Sequence, residues 1–249
     1  MKTFTYQIAA ALFLFSTSAQ AKWWNPMTWG RNNNNGGNSN GNQQQQGRGF
    51  RGGQGQGQGL GNGGNQGDGM RGSAVMTTEA GVLDSDEVKD LLFMREEEKM
   101  ARDVYETMFD KYPTASVFAR IAISEQAHMD SMQRMIDRYD LTDPVVDDTV
   151  GVFQDKGLQN TYNGLVAKGN NSLKDALMVG ALIEEIDIND LKHAMLETDE
   201  SALDFSYGNL MRASENHLRA FVRELRVIDS SPYVAQNMTQ AEVDGIILN

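Results

Sequence analysis

The chain has 249 residues, a mean hydropathy of −0.48 and a formal net charge of −12, from 22 Lys and Arg against 34 Asp and Glu. It has no cysteine, which excludes disulfides, thiolate zinc sites, Cys-ligated iron–sulfur clusters and a cysteine nucleophile. Lys2, Lys22, Arg31, Arg48, Arg51 and Arg71 lie at or before Arg71, where Asp68 is the only acid, so the remainder is more acidic than the chain as a whole. Such a domain is a poor partner for nucleic acid or an anionic membrane and is electrostatically suited to cations.

Residues 1–21 read as a signal peptide. Lys2 supplies the positive start, Ile8 to Phe15 a short apolar run, and Ala19-Gln20-Ala21 a small-x-small cleavage pattern. The apolar run is well short of the ~20 residues that span a bilayer, so no transmembrane anchor is expected after cleavage. The mature protein is expected to be exported, to a periplasm or outside the cell. Residues 22–80 read as a disordered tail, crowded with Asn, Gly and Gln and nearly free of large apolar residues after Trp29. Such a segment cannot bury enough surface to offset the entropy of ordering. A spacer is the plain reading of it; Trp23, Trp24 and Trp29 would otherwise suit a membrane interface or a partner.

Residues 81–249 carry helical periodicity. The first segment, about 84–111, places Leu91, Met94, Ala101, Tyr105 and Met108 on one stripe, with Asp84 or Ser85 as its cap. The second, about 114–139, starts at Thr114 after Pro113 and carries Val117, Ile121, His128, Met132, Met135 and Tyr139. The third, about 172–197, starts at Ser172, and the fourth, about 200–228, starts near Asp199. Segments one and two are tightly joined, as are three and four. About thirty residues, with a short helix near Leu158–Ala167, separate the two pairs. Short, long, short is the connectivity of an all-α four-helix bundle with one long crossover. Pro232–Asn249 reads as a turn and a short C-terminal helix.

Each of the four helices places an acid or an imidazole on its apolar stripe near mid-length. Segment two has Glu125 and His128 at i, i+3, so one helix face could offer both to one metal ion. Segment one has Glu96, Glu97 and Glu98; Glu98 shares the stripe with Leu91 and Tyr105, Glu97 falls nearly as close, and Glu96 reads as a solvated acid. Segment three has Glu184 and Asp187 at i, i+3, with Glu185 as the fallback. Segment four has His217, beside Ser214 and Phe221. His193 falls off the stripe and reads as a surface or interface residue. A buried acid without a partner is costly, and a cation is the simplest remedy. Oxygen-rich ligation with two imidazoles suits iron or manganese, with zinc also admissible.

These residues resemble the ferritin-like superfamily. Glu98-x-x-Ala101-x-x-x-Tyr105 is similar to the first-helix motif of ferritins, and Glu125-x-x-His128 to their second-helix motif. Glu184-x-x-Asp187 is similar to the third-helix carboxylates of rubrerythrins. The fourth helix departs: rubrerythrins carry a second ExxH where this chain has Ser214-x-x-His217. About 85–246 also looks like a bacterial and archaeal family of that superfamily, through Arg95–Tyr105, Glu184–Leu191 and Asn216–Phe221.

The resemblance implies a ferritin-like bundle whose metal ligands are Glu98, Glu125, His128, Glu184, Asp187 and His217, around iron or manganese, in a dinuclear centre. It implies reduction of O2 or peroxide, a di-metal oxidoreductase, with Tyr105 as a nearby proton or electron source. Metal binding or sequestration without turnover is the alternative, with iron or with copper. For copper, His128, Met132 and Met135 share a helix face, and thioether with imidazole suits Cu(I), although Met commonly fills bundle cores. A structural bundle without metal is the remaining reading. Metal ions are the expected partners; a homodimer is compatible with the sequence, and nothing marks cage-forming interfaces.

Overall fold

The structure is a computed structural model that describes residues 79–248. The expected signal peptide, and the expected tail up to residue 78, lie outside the described residues. Six helices and no strand occur among the described residues: α1 Ser85–Lys111, α2 Ser116–Arg138, α3 Lys156–Gly169, α4 Leu173–Glu197, α5 Ser201–Ile228 and α6 Gln240–Ile247. None of them is long and apolar enough to cross a membrane.

Helix ends follow from local chemistry. Asp84 caps α1 by accepting from the Asp86 and Glu87 backbone N–H groups at 2.8 and 3.0 Å, while the Glu87 carboxylate accepts from the Asp84 N–H at 2.9 Å. This reciprocal capping contributes roughly 1 kcal/mol. Pro113 cannot continue the ladder. Pro113 and Thr114 instead form a turn in which the Ala115 N–H donates to the Tyr112 carbonyl at 2.9 Å. Helix α2 therefore opens at Ser116, two residues later than the expected Thr114. Ser172 caps α4 through the Asp175 N–H, and Glu200, one residue after the expected Asp199, caps α5.

Helices α1 and α2 form one hairpin and α4 and α5 another; α1 packs on α4 and α2 on α5. The segment between the hairpins runs from Tyr139 to Ser172 and contains α3, which lies against α1 and α4. Helix α6 packs on α5. The apolar core is divided in two. One part gathers Val104, Tyr105, Phe118, Ile121, Ile183, Phe221 and their neighbours. The other gathers Leu91, Met94, Met132, Met135, Leu191, Leu203 and Leu210. On α1, α2 and α5 the mid-length acids and histidines lie between these two groups in sequence, and on α4 Glu184 and Asp187 interleave with Ile183, Ile186 and Ile188 of the first group. Gly180 lets the Phe221 ring sit against α4: a Cβ there would come within 2.5–2.8 Å of the ring. Phe221 in turn packs on Tyr105 and Phe118, with ring centroids 5.2 and 5.6 Å away.

The segment joining the hairpins covers the outer face of α1, so α1 is buried on nearly every side from Met94 to Tyr105. Glu96, expected to be solvated, is 4 % exposed and lines a small hollow with Pro144, Val145, Val152 and Phe153. Periodicity on one helix could not show that a distant loop would roof its polar face. The pin is a buried ion network. Lys99 Nζ donates to Asp103 Oδ2 at 2.6 Å and to the Thr149 and Val152 carbonyls at 3.0 and 3.2 Å. Asp103 also accepts from the Gly151 N–H and from Arg102, and Arg102 reaches Asp148 at 2.7 Å. Arg95 pairs with Asp143 at 3.1 Å.

Asp103→Ala leaves Lys99 and Arg102 as buried cations without their shared counter-ion, and a broken buried pair costs about 3 kcal/mol. A urea unfolding curve should show that loss, with the segment around Thr149–Gly151 becoming sensitive to limited proteolysis. A loss under about 1 kcal/mol would mean the segment is held elsewhere.

Candidate metal centre

Five of the sequence-predicted residues meet at mid-bundle. Glu125 on α2 lies at their centre. Its Oε2 is 2.7 Å from His128 Nδ1, and its Oε1 is 2.9 Å from His217 Nδ1 on α5. Glu98 on α1 completes the first group, with Oε2 3.2 Å from His128 Nδ1. Glu184 on α4 completes the second, with Oε2 3.4 Å from His217 Nδ1. Glu98, Glu125 and His128 offer ligand atoms all within 4.8 Å of one another, and so do Glu125, Glu184 and His217. The two imidazoles stack with centroids 5.5 Å apart. The two triads share one carboxylate, which turns one oxygen to each side.

The remaining predicted residues sit beside the triads. The Tyr105 hydroxyl donates to Glu184 Oε1 at 2.5 Å. Asp187 lies in the same layer but outside both triads; Ser214 donates to its Oδ2. Ser214 on α5, where the resemblance expects a carboxylate, thus serves an acid of α4. Between Glu97 and Glu98, Glu98 faces His128, whereas Glu97 is set among Asp190, Asp187 and Glu98. Between Glu184 and Glu185, Glu184 belongs to the triad. Glu185 accepts from Tyr233 Oη at 2.6 Å and from the Gln236, Asn237 and Met238 N–H groups, so it clamps the C-terminal segment onto α4. His193 is half-buried. Met132 and Met135 pack with Leu91, Met94 and Ile136. Sequence reading missed Ser124, whose Oγ lies 2.9 Å from His217 Nε2. A serine one residue before Glu125 carries no motif, and only the packing of α2 on α5 reveals it.

The electrostatics are those of acids and imidazoles that need one another. Burial works against Glu125 as an anion, but His128 and His217 overcome it and hold its carboxyl well below the ordinary range. Burial likewise opposes a charged His217, and Glu184 and Glu125 outweigh it, pushing its pKa up to about 10. His128 is raised well above its ordinary value by Glu98 and Glu125, against burial. Burial pushes Glu98 up to about 8 despite His128. Burial, then Glu184, raises the Tyr105 phenol. A cation arriving here displaces protons from the histidines, so its binding is favoured by rising pH.

Residues 87–249 match the model of a family described as an uncharacterized protein domain, DUF2202. The chain belongs to that family. It is similar to the uncharacterized protein MJ0754 of Methanocaldococcus jannaschii, 44 % identical over 165 residues, which is 66 % of this chain and 88 % of that protein. Its fold is similar to the crystal structure of the hypothetical protein MJ0754 from Methanococcus jannaschii, with a TM-score of 0.67 and 42 % identity over 70 % of this chain and 98 % of that one.

Two outcomes test this description. Glu185→Ala removes the acceptor of four donors, so the C-terminal segment should exchange its amide hydrogens at least tenfold faster, while metal content stays at the wild-type level. Loss of metal instead would return Glu185 to the ligand set. The second outcome is a pH dependence. His217 gains its proton partner on folding, so its contribution is complete below pH 6.5 and is lost as pH rises through about 10. Glu98 and Glu96, raised from 4.5 to about 8 and about 7, hold their protons in the folded chain at pH values where the unfolded chain has lost them, so stability also falls as pH rises across those windows. Chelator-treated protein should therefore melt about 5 °C or more lower at pH 9 than at pH 6. A melting temperature that rises over that interval would contradict the assignment.

Proposed function

We propose that this chain is a dinuclear metal-binding protein that takes iron or manganese in the bundle core and reduces O2 or peroxide there. The observation that carries the reading is Glu125, whose two oxygens address two histidines from opposite sides, each with one further carboxylate. The residues present fit the group: three carboxylates and two imidazoles are hard and borderline donors, suited to iron or manganese. Glu98, Glu125 and His128 would hold one ion and Glu125, Glu184 and His217 the other. A bound pair of redox metals would supply the electrons that such a reduction needs.

The chain's own residues prepare the rest. Ser124 takes up the outer nitrogen of His217, which directs Nδ1 to Glu125 and Glu184. Tyr105 holds a proton on Glu184 Oε1, within the layer, and is the protein's candidate proton source. The aromatic group of Tyr105, Phe118 and Phe221 keeps water from that side. The resemblance to ferritin-like proteins, in helix order and motif spacing, supports the same reading, and the leader-like residues 1–21 favour an exported protein.

One observation favours binding without turnover: every triad residue is at most 8 % exposed, which suits retention of an ion better than access for a substrate. The copper reading is weakened, because Met132 and Met135 are fully buried among apolar side chains.

Elemental analysis after anaerobic Fe(II) loading, followed by O2 and peroxide consumption, separates these. The dinuclear reading expects Glu125→Ala to lower affinity for both ions by at least 100-fold and His128→Ala that for one, with helicity retained. Metal uptake without oxidant consumption would select the sequestration reading. Wild-type metal content in Glu125→Ala would overturn both.

A further inference from the structure

The arginines of the described residues are sorted by place. Arg95 and Arg102, on α1, are buried in ion pairs with acids of their own chain. All the others lie on α2 and α5, and those two helices carry no lysine. Contacts show which flank of α2 each takes. Ser124 turns to α5, since its Oγ meets His217, and Gln126 turns to α1, where it accepts from Arg102. Helical spacing places Arg120, Ala127 and Arg134 on the Ser124 flank. Asp130 and Asp137 lie toward the other flank, where Gln126 and Gln133 donate to them at 2.8 and 2.9 Å.

On α5, spacing sets Arg212 and Arg223 on the side toward α2, whereas Arg219 turns to α6 and donates to the Ile246 carbonyl at 2.7 Å. Arg120, Arg134, Arg212 and Arg223 are exposed, and none of them forms an ion pair among the described residues. Arg120 and Arg212 donate to Ser116 and Asn209, each on its own helix. Glu224 is the one surface acid that spacing leaves beside them. Ile123, 73 % exposed, adds an apolar contact on the same face. Phe118 packs on Phe221, while Met135 shares the other apolar group with Leu210, so α2 and α5 run antiparallel. Arg120 and Arg223 therefore lie to one side of His128 and His217, and Arg134 and Arg212 to the other, each roughly two turns away.

Exposed arginine in place of lysine suits a carboxylate-bearing partner, because the guanidinium fork bonds carboxylates in pairs and is weakly hydrated. Residues 1–78 are no match: Lys2, Lys22, Arg31, Arg48, Arg51 and Arg71 outweigh Asp68 there. Two copies joined through this face would set arginine against arginine. The arginines span about 20 Å along α2, the footprint of a small protein. A long polyanion or a bilayer would extend past them onto Asp130 and Asp137. His128 and His217, 7 and 8 % exposed, are the triad members nearest solvent, and these same two helices carry them. Reduction of one peroxide to two waters takes two electrons and two protons. The chain has no cysteine to hold an iron–sulfur cluster that could supply those electrons.

We infer that the arginine-rimmed outer face of α2 and α5 is the docking site of a small acidic protein that carries one electron. Two such carriers are oxidised for each peroxide reduced. The inference rests on the reading of the triads as a redox centre, and it names the partner that the centre draws on.

The test is anaerobic calorimetry of the iron-loaded full chain with a reduced, acidic [2Fe–2S] ferredoxin as probe and a basic c-type cytochrome as control. Wild type should bind the ferredoxin with a dissociation constant of about 10 µM at low salt, weaken at least about tenfold in 0.3 M salt, and ignore the cytochrome. Arg120→Glu with Arg223→Glu should weaken binding at least about tenfold, while peroxide consumed in a single turnover of the Fe(II)-loaded protein, with no carrier present, stays at the wild-type level. Arg134→Glu with Arg212→Glu serves if that pair fails to fold, and Lys156→Glu, on α3, should change neither readout. No ferredoxin binding by wild type, or binding unchanged in the double variants, would overturn the docking site; the centre stands if single-turnover consumption persists. Ferredoxin bound through the arginines, with no peroxide consumed by the Fe(II)-loaded protein, would overturn the redox reading and the carrier's role with it. Tighter binding to heparin than to ferredoxin would assign the face to a polyanion. Sedimentation showing a dimer that the double variants lose would assign it to a second copy. Either result would overturn the proposal.

Discussion

Carboxyls at mid-height in an apolar bundle are tolerable only when they keep their protons or have positive charge beside them, and the architecture of this protein is arranged around that constraint. Buried acids and two histidines sit at mid-length among two apolar groups contributed by the same four helices. The apolar residues on either side supply the hydrophobic stabilisation, while the polar layer draws on it. In the structure as described the imidazoles provide the compensating charge, Glu125 holding both. In the proposed functional state divalent cations take that place.

Two outer devices cover the bundle, and each is anchored on a buried carboxylate, Asp103 on α1 and Glu185 on α4. Lys99, Arg102 and Asp103 fasten the segment between the hairpins over α1. Glu185 fastens the C-terminal segment over α4. These clamps explain why α1 and α4 are buried on nearly all sides despite their charged sequences. They also explain how adjacent acids take different tasks. Glu184 and Glu185 are neighbours in sequence, yet one faces His217 and the other faces a loop. Glu96, Glu97 and Glu98 likewise divide among the outer hollow, the acidic group around Asp190, and His128.

The closure bears on how the layer would be used. The histidines, 7 and 8 % exposed, are the least buried members of the triads, so solvent comes nearest to the layer beside α2 and α5. Ser124, which holds the outer nitrogen of His217, lies at that same edge. A cation reaching the triads from there would meet imidazole before carboxylate and displace its proton first.

The sequence by itself determined the all-helical class, the helix boundaries to within two residues, and the mid-length level at which acids and histidines gather. Those features are local: apolar periodicity, caps such as Asp84 and Ser172, and the break at Pro113 are written into neighbouring residues. The pairing of Glu125 with His128 was legible for the same reason, since residues at i, i+3 share a helix face. Only the tertiary structure decided that Glu125 lies between both histidines, that Asp187 turns to Ser214, that Glu185 serves the C-terminal segment, and that Glu96 is roofed. Each of those outcomes depends on the rotation of one helix against another, or on where a distant loop comes to rest. Contacts between residues dozens of positions apart set both, and no single helix's pattern encodes them.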